Sequence, residues 1–447
     1  MELIKFLKYS LILLLSTSLF VACSDDEDDT TPTPAGPETI ANIAAGDAQF
    51  STLVDALARV DLVATLQSDG PFTVFAPTND AFADLGVDLS TLSDEDLTEI
   101  LLYHVIPAEI ASTDLQEGKQ YASTAAATGP NGAALSVLVE RMGANVVVNN
   151  TANVTTADVD ASNGVIHIVD AVIMPLDVVG HAVANTDYSA LAGAVTDAGL
   201  IPTLQSDGPF TVFAPDNTAF GNVDLTGLTA DEVTNILLYH VLGGAVASTD
   251  LQDGNTYAGT ANTTGPNETS VSMLIQKSAD GVRVNNAANV AVADIVATNG
   301  IIHAIDAVIL PLDVVGHASA NSDFAELVNA LGAAEGNLVA TLQGDGPFTV
   351  FAPVNSAFED IATVVAGLTP AELRDVLLYH VVGGVNVLST DLSDGQVVAT
   401  VNTAEFTVNV GSEVTITDGQ GGSSRVIFTD VQATNGVIHV LDRVLLP

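Results

Sequence analysis

DGPFTVFAPTNDAF, running from Asp69 to Phe82, returns as DGPFTVFAPDNTAF from Asp207 and as DGPFTVFAPVNSAF from Asp345, each copy 138 residues after the one before. Two further phrases keep step with it. LLYHV ends at Val105, Val241 and Val381, and NGVIHIVD, NGIIHAID and NGVIHVLD begin at Asn163, Asn299 and Asn435. A period of this size is too long for a solenoid repeat and suits a whole domain. The stretch also sets its own local structure. In Phe210–Pro215, Val212 and Ala214 face one way and Thr211 and Phe213 the other. Neither face is clearly polar, so the strand is expected to be covered on both sides. The proline stops the ladder, and the Asn or Asp that follows fits a turn. Gly344-Asp-Gly346 is a tight turn with no phosphate-binding helix after it, so it is given no nucleotide role.

Working outward, the chain divides into residues 37–175, 176–311 and 312–447, each longer than 130 residues and able to build its own core. Phe50, Leu53, Val54 and Leu57 fall at helical spacing behind Asp47 as a cap, and domains two and three repeat the pattern from Tyr188 and Phe324. A second helix starts at the capping boxes Thr229-Ala-Asp-Glu232 and Thr369-Pro-Ala-Glu372, with Ser93-Asp-Glu-Asp96 as an acidic version. Gly243 and Gly244, or Gly383 and Gly384, are read as its end, and Pro107 serves in domain one. The back half of each unit is a series of β-branched runs, such as VSMLIQ, GVRVNN and IIHAIDAVILP in domain two. The expected product is an α+β domain with helices at one end of a folded-over sheet. The joints Pro175-Leu-Asp-Val-Val-Gly-His181 and Pro311-Leu-Asp-Val-Val-Gly-His317 match and hold no flexible run. They should therefore repeat one rotation and give a short, stiff rod.

GPFTVFAPxNxAF, LLYHV and NGVIHxxDxVL, in this order and three times over, resemble the fasciclin (FAS1) domain, and the resemblance covers residues 37–447. It implies three tandem wedges of folded β-sheet, each with a helical lobe. It also implies a secreted or surface-anchored adhesion or extracellular-matrix protein of variable ligand. In that family the Tyr-His neighbourhood is linked to cell adhesion. This makes Tyr103–His104, Tyr239–His240 and Tyr379–His380 the candidate site residues, in an adhesive or a structural role.

The residues themselves argue against chemistry. All eight histidines sit in repeated contexts, and the six inside the domains have apolar sequence neighbours and no evident fixed partner. A packed imidazole with a backbone hydrogen bond is the expected state. His303 and Asp306 stand three apart on a strand, which puts them on opposite faces and speaks against a His-Asp relay. Asn163, Asn299 and Asn435, each followed by glycine, read as turn formers. There is no HExxH and no G-x-S-x-G, and the aspartate-rich loop from Asp158 to Gly164 misplaces its glycine for a calcium loop. No catalytic residue, cofactor or metal is expected, and the chain is read as a non-enzyme.

Residues 1–22 read as a signal peptide: Lys5 and Lys8, an apolar run from Leu11, and small Ala22 before Cys23, the only cysteine. The position of Cys23 resembles the acylated cysteine of bacterial lipoproteins, although Phe20 departs from the usual aliphatic residue. The acidic run Ser24–Asp29 resembles the stretch that directs lipoproteins of Bacteroidetes-like bacteria to the outside of the outer membrane. Residues 23–36 form an acidic, Thr/Pro-rich tether. An outward-facing outer-membrane lipoprotein is expected, with a periplasm-facing position as the alternative. The chain holds 10 Lys plus Arg against 55 Asp plus Glu; without Glu2, Lys5 and Lys8 the formal charge is −46. Nucleic acid and anionic bilayer surfaces are excluded as partners because little could neutralise their phosphates. Absence of Trp counts weakly against stacking on sugars but leaves hydrogen-bonded polysaccharide open. The expected function is non-enzymatic adhesion or matrix interaction through repeated weak-binding domains, with a lipid anchor and a surface or matrix protein or polysaccharide as partners. An envelope scaffold that binds another bacterial surface component is the alternative. Oligomeric state is not legible.

Overall fold

In the computed structural model, which describes residues 38–447, the repeated stretch forms the strands Phe72–Pro77, Phe210–Pro215 and Phe348–Pro353. Each lies inside a seven-stranded sheet. Its neighbour on one side is a parallel strand from the end of the domain, Gly164–Val169, Gly300–Ile305 or Gly436–Leu441. On the other side is a short antiparallel strand, Val105–Ile106, Val241–Gly243 or Val381–Gly383. The remaining strands follow as an antiparallel meander, and the sheet curls until its edges meet. Ala125, Ala261 and Val401 donate backbone bonds to Val105, Val241 and Val381 across the seam at 2.7, 2.7 and 2.8 Å. The result is three α+β domains with nearly closed sheets. Among the described residues no helix is long and apolar enough to cross a membrane.

The strand is covered on both faces because it separates two cores. In domain one, Val74 and Ala76 face the helices with Phe50, Leu53 and Leu101, while Phe75 faces the interior of the curled sheet with Val137, Val148 and Ile173. Domain two divides the same way at Ala214 and Phe213. The parallel pairing demands glycine at its start. A Cβ on Gly164 would stand 1.9 Å from the Phe72 carbonyl oxygen.

The structure corrects three expectations. The capped helices end at Tyr103, Tyr239 and Leu378, before the glycines, because a short strand follows at once. The joint residues are not linker. Val178–Ala184 and Val314–Ala320 are helices, capped by Asp177 and Asp313, and Ile40–Gly46 is their counterpart in domain one. Asn163, Asn299 and Asn435 do more than form turns. Each side chain is buried, accepts the first backbone N–H of the opening helix at 3.0 Å, and donates to two carbonyls that precede the repeated strand.

The two joints are built alike. The opening helix of each later domain meets the first long strand of the meander before it, Gly118–Ser123 or Gly254–Gly259. Asn185 donates to the Tyr121 hydroxyl at 3.2 Å, and Asn321 to the Tyr257 hydroxyl at 2.9 Å. The Val296 and Gln432 amides donate to the Ser136 and Ser272 hydroxyls, each at 2.9 Å. They differ at the rim, where Lys119 holds Asp187 at the first joint and Asn255 holds Asp323 at the second.

Candidate functional site

The Tyr-His pairs stand at the C-terminal end of the capped helices, and both members point inward. Tyr103, Tyr239 and Tyr379 have no exposed surface, and His104, His240 and His380 keep 2%. Burial without a partner would leave hydroxyl and imidazole groups unsatisfied, and the fold supplies one for each. Tyr103 donates to the Ser136 carbonyl at 2.8 Å and accepts from Asn149 at 3.0 Å; Tyr239 repeats this with Ser272 and Asn285. Tyr379 donates to the Glu405 carbonyl at 2.7 Å and accepts from the Gly419 amide.

The histidine geometry fixes a protonation state. His104 Nδ1 lies 2.7 Å from the Ile100 carbonyl, which can only accept, while Nε2 takes the Ile173 amide at 2.9 Å, which can only donate. The ring must therefore be the neutral Nδ1–H tautomer. His240 bridges Ile236 and Ile309, and His380 bridges Val376 and Leu445, in the same sense. Burial pushes all three down to about 4. Each pair is a stitch: it ties the end of a helix to the sheet wall and to the segment that leaves the last strand. Contact between these side chains and a partner would require the domain to open.

His167, His303 and His439 form a second repeated set. Nε2 donates to the Ile110, Val246 or Val387 carbonyl at 2.9 Å. Nδ1 accepts from the amide of Asp158, Asp294 or Asp430. Here a carboxylate comes closer than the apolar sequence neighbours suggest. The Asp158 and Asp294 carboxylates come within 4.0 Å of the ring. They reach it through a bulge in the adjoining strand, where these aspartates have φ near +59° and register shifts. The carboxylates are occupied by Ser112 and Ser248, through both backbone amide and hydroxyl. The imidazole meets a backbone N–H, so no relay forms. Asp306 instead accepts from Asn289. Among the described residues no group of three or more potential metal ligands converges.

What faces solvent is acidic. Arg59 is bound to Asp94 and two carbonyls, Arg141 to the Leu115 carbonyl, Lys277 to the Ser248 and Leu251 carbonyls. Arg374 and Arg425 each lie between two carboxylates. Most of the cations among the described residues are thus committed to the protein's own groups and leave the carboxylates to dominate the surface.

The chain is 27% identical to human Periostin over 401 residues, which is 86% of this chain and 44% of that protein. It is 27% identical to rabbit (Oryctolagus cuniculus) Transforming growth factor-beta-induced protein ig-h3, covering 86% of this chain and 54% of that one. It thus spans about half the length of these relatives. Protein sll1483 of Synechocystis sp. is 49% identical over 142 residues, 31% of this chain and 73% of its own. A solved FAS1 domain pair from the insect cell adhesion molecule Fasciclin I superposes with a TM-score of 0.39 at 19% identity, covering 59% of this chain and 98% of that one. The fasciclin domain family matches at residues 48–175, 186–311 and 322–447, and the chain belongs to that family.

Proposed function

We propose that the protein is a surface-tethered adhesion or matrix-interaction protein whose three domains each bind weakly and gain strength from number. Fasciclin domains are non-catalytic modules, and the chain is not an enzyme. Kinship with Periostin and ig-h3 supports a general adhesive role without naming a partner. The observation that carries the reading is the threefold repetition of one domain whose most recognisable residues are committed to its interior. Binding then falls to outer surfaces, which repetition presents three times. A partner with basic or hydrogen-bonding groups suits the acidic exterior, and its capture is steered by charge and weakened by salt.

Cys23 carries the lipid in this reading, and residues 23–36 hold the domains off an outer membrane, facing outward. Acyl chains contribute about 0.8 kcal/mol per buried CH2, so more than one chain is needed for stable anchoring. Intact-mass analysis of membrane-extracted protein tests the anchor: a lipid-modified first residue at Cys23 is expected, and a soluble product with another first residue contradicts it. Protease shaving of live cells tests the display. For the adhesive role, versions with one, two and three domains are compared on one ligand-bearing surface at equal molar concentration, with circular dichroism as the check on folding. A steep gain with domain number is expected. A single folded domain that binds as tightly as all three overturns the reading.

A further inference from the structure

Two histidines remain outside the roles described so far. His181 and His317 sit on the opening helices of domains two and three and are buried at 2% and 0% exposure. Their rings face Tyr121 and Tyr257 of the preceding domain, with centroids 5.8 and 5.7 Å apart. Among the described residues no protein group meets either ring nitrogen with hydrogen-bond geometry, whereas the other six histidines have both nitrogens engaged. The backbones of Val296 and Gln432 lie beside the rings and oppose part of the effect of burial, but they do not meet the ring nitrogens with hydrogen-bond geometry.

The position follows the joint rather than the fold. Ile40, Val178 and Val314 are equivalent, since their amides reach Asn163, Asn299 and Asn435. Three residues on, domain one carries Ile43 where the others carry His181 and His317. A fasciclin domain here needs no histidine at that place, and the two that have one are those whose helix packs against a preceding domain.

The surroundings are apolar or neutral from every side. Around His181 stand Leu191, Val212, Ile295 and Ile302 of its own domain, with Tyr188 from the turn after the helix and Tyr121 from across the joint. Asp177 caps the helix through Gly180, and Asp187 at the rim is held by Lys119. Around His317, Phe324 takes the place of Tyr188, Phe428 stacks on Tyr257, Asp313 caps the helix and Asp323 is held by Asn255. Among the described residues no carboxylate offsets a charge on either ring.

We propose that the two joints are proton-operated hinges: when His181 and His317 take up a proton, each ring leaves its pocket against the preceding domain, and the domains lose their fixed mutual orientation while each stays folded. Burial holds both rings down to about 4, against an ordinary 6.5 when exposed. The open joint therefore binds the proton more tightly than the closed one. The closed joint is fully favoured above 6.5 and is lost as pH falls from there toward 4. Opening a joint breaks few bonds, those of Asn185, Val296 and Lys119 at the first. Charging His104 or its equivalents would instead break a domain core. Acid also lessens repulsion among the surface carboxylates, but that effect draws domains together and has the opposite sign.

The test is small-angle scattering of the full chain from about pH 7.5 down to about pH 5, with near-ultraviolet circular dichroism to show that the domains stay folded. A broader distance distribution at the acid end is expected for the natural chain. The double variant H181I/H317I, which installs domain one's own residue, is expected to keep its neutral-pH distribution throughout. A natural chain whose distribution does not broaden, or a double variant that broadens with the same midpoint, overturns the proposal. If isoleucine disturbs the joint at neutral pH, histidine-resolved NMR of the natural chain decides. His181 and His317 must gain charge over the same interval in which scattering changes, and charging with no change in scattering overturns the hinge.

Discussion

The Tyr-His pairs inside the domains and the histidines at the joints have similar apolar surroundings, yet the fold treats them in opposite ways. His104, His240 and His380 have one nitrogen on a carbonyl and the other on an amide, so the neutral ring is built into the backbone network. His181 and His317 have neither bond and press against a different domain. A repeated, recognisable motif therefore marks what each domain needs in order to fold. A repeated residue that is missing from the domain following no other repeat in this sequence marks what domains need in order to stand together.

The comparison breaks most readily at the pairs. Tyr239→Ala removes a wholly buried ring and takes the hydroxyl away from Asn285 and the Ser272 carbonyl. Urea unfolding of the full chain should show a loss of about 3–5 kcal/mol in the domain-two transition. A loss within the scatter of surface variants would mean that the pair is not a stitch.

Acid should act next in size. Each of the three neutral histidines is held down to about 4. Unfolding releases it to its ordinary value, so its contribution is complete above 6.5 and is lost as pH falls toward 4, by at most about 3 kcal/mol per ring. Unfolding midpoints measured between about pH 7 and about pH 5 should fall, in a range where few carboxylates have titrated. A midpoint that rises over this interval would show that relief of acidic repulsion dominates.

Asn299→Ala probes the pin on the opening helix. It strands the Val178 amide and the Leu204 and Ser206 carbonyls, and should cost about 1–3 kcal/mol. Because that helix also carries His181, the same variant should loosen the first joint, readable as a broader scattering distribution at neutral pH. An unchanged joint would separate the helix's anchorage from domain orientation. Arg374→Ala is the smallest change: its ion pairs are exposed, and no shift in the unfolding midpoint is expected.

Much of this was legible in the sequence, for local reasons. The strand faces of FTVFAP follow from alternation, and the capping boxes at Thr229 and Thr369 form as their residues suggest. Three features were not legible, because each depends on distance or on broken periodicity. VVGHAVA is a seven-residue helix with glycine in it, too short to declare a period. Asn163 meets Ile40 across 123 residues, which no local pattern reveals. The Asp158–His167 approach depends on a bulge that breaks the strand's alternation, so parity, which separates His303 from Asp306, does not reveal it. The Tyr-His pairs were visible as a motif, but only their partners on distant strands show that they face inward.

Histidine-resolved nitrogen NMR of the full chain tests the central contrast most directly. At about pH 6.5, where an exposed imidazole is half charged, His104, His240 and His380 should each report a neutral ring protonated at Nδ1. They should hold that state as acid is added for as long as the domains remain folded. Titration of these three rings near the ordinary histidine value in a folded chain would contradict the account, because it would show that the pairs are open to solvent and available to a partner.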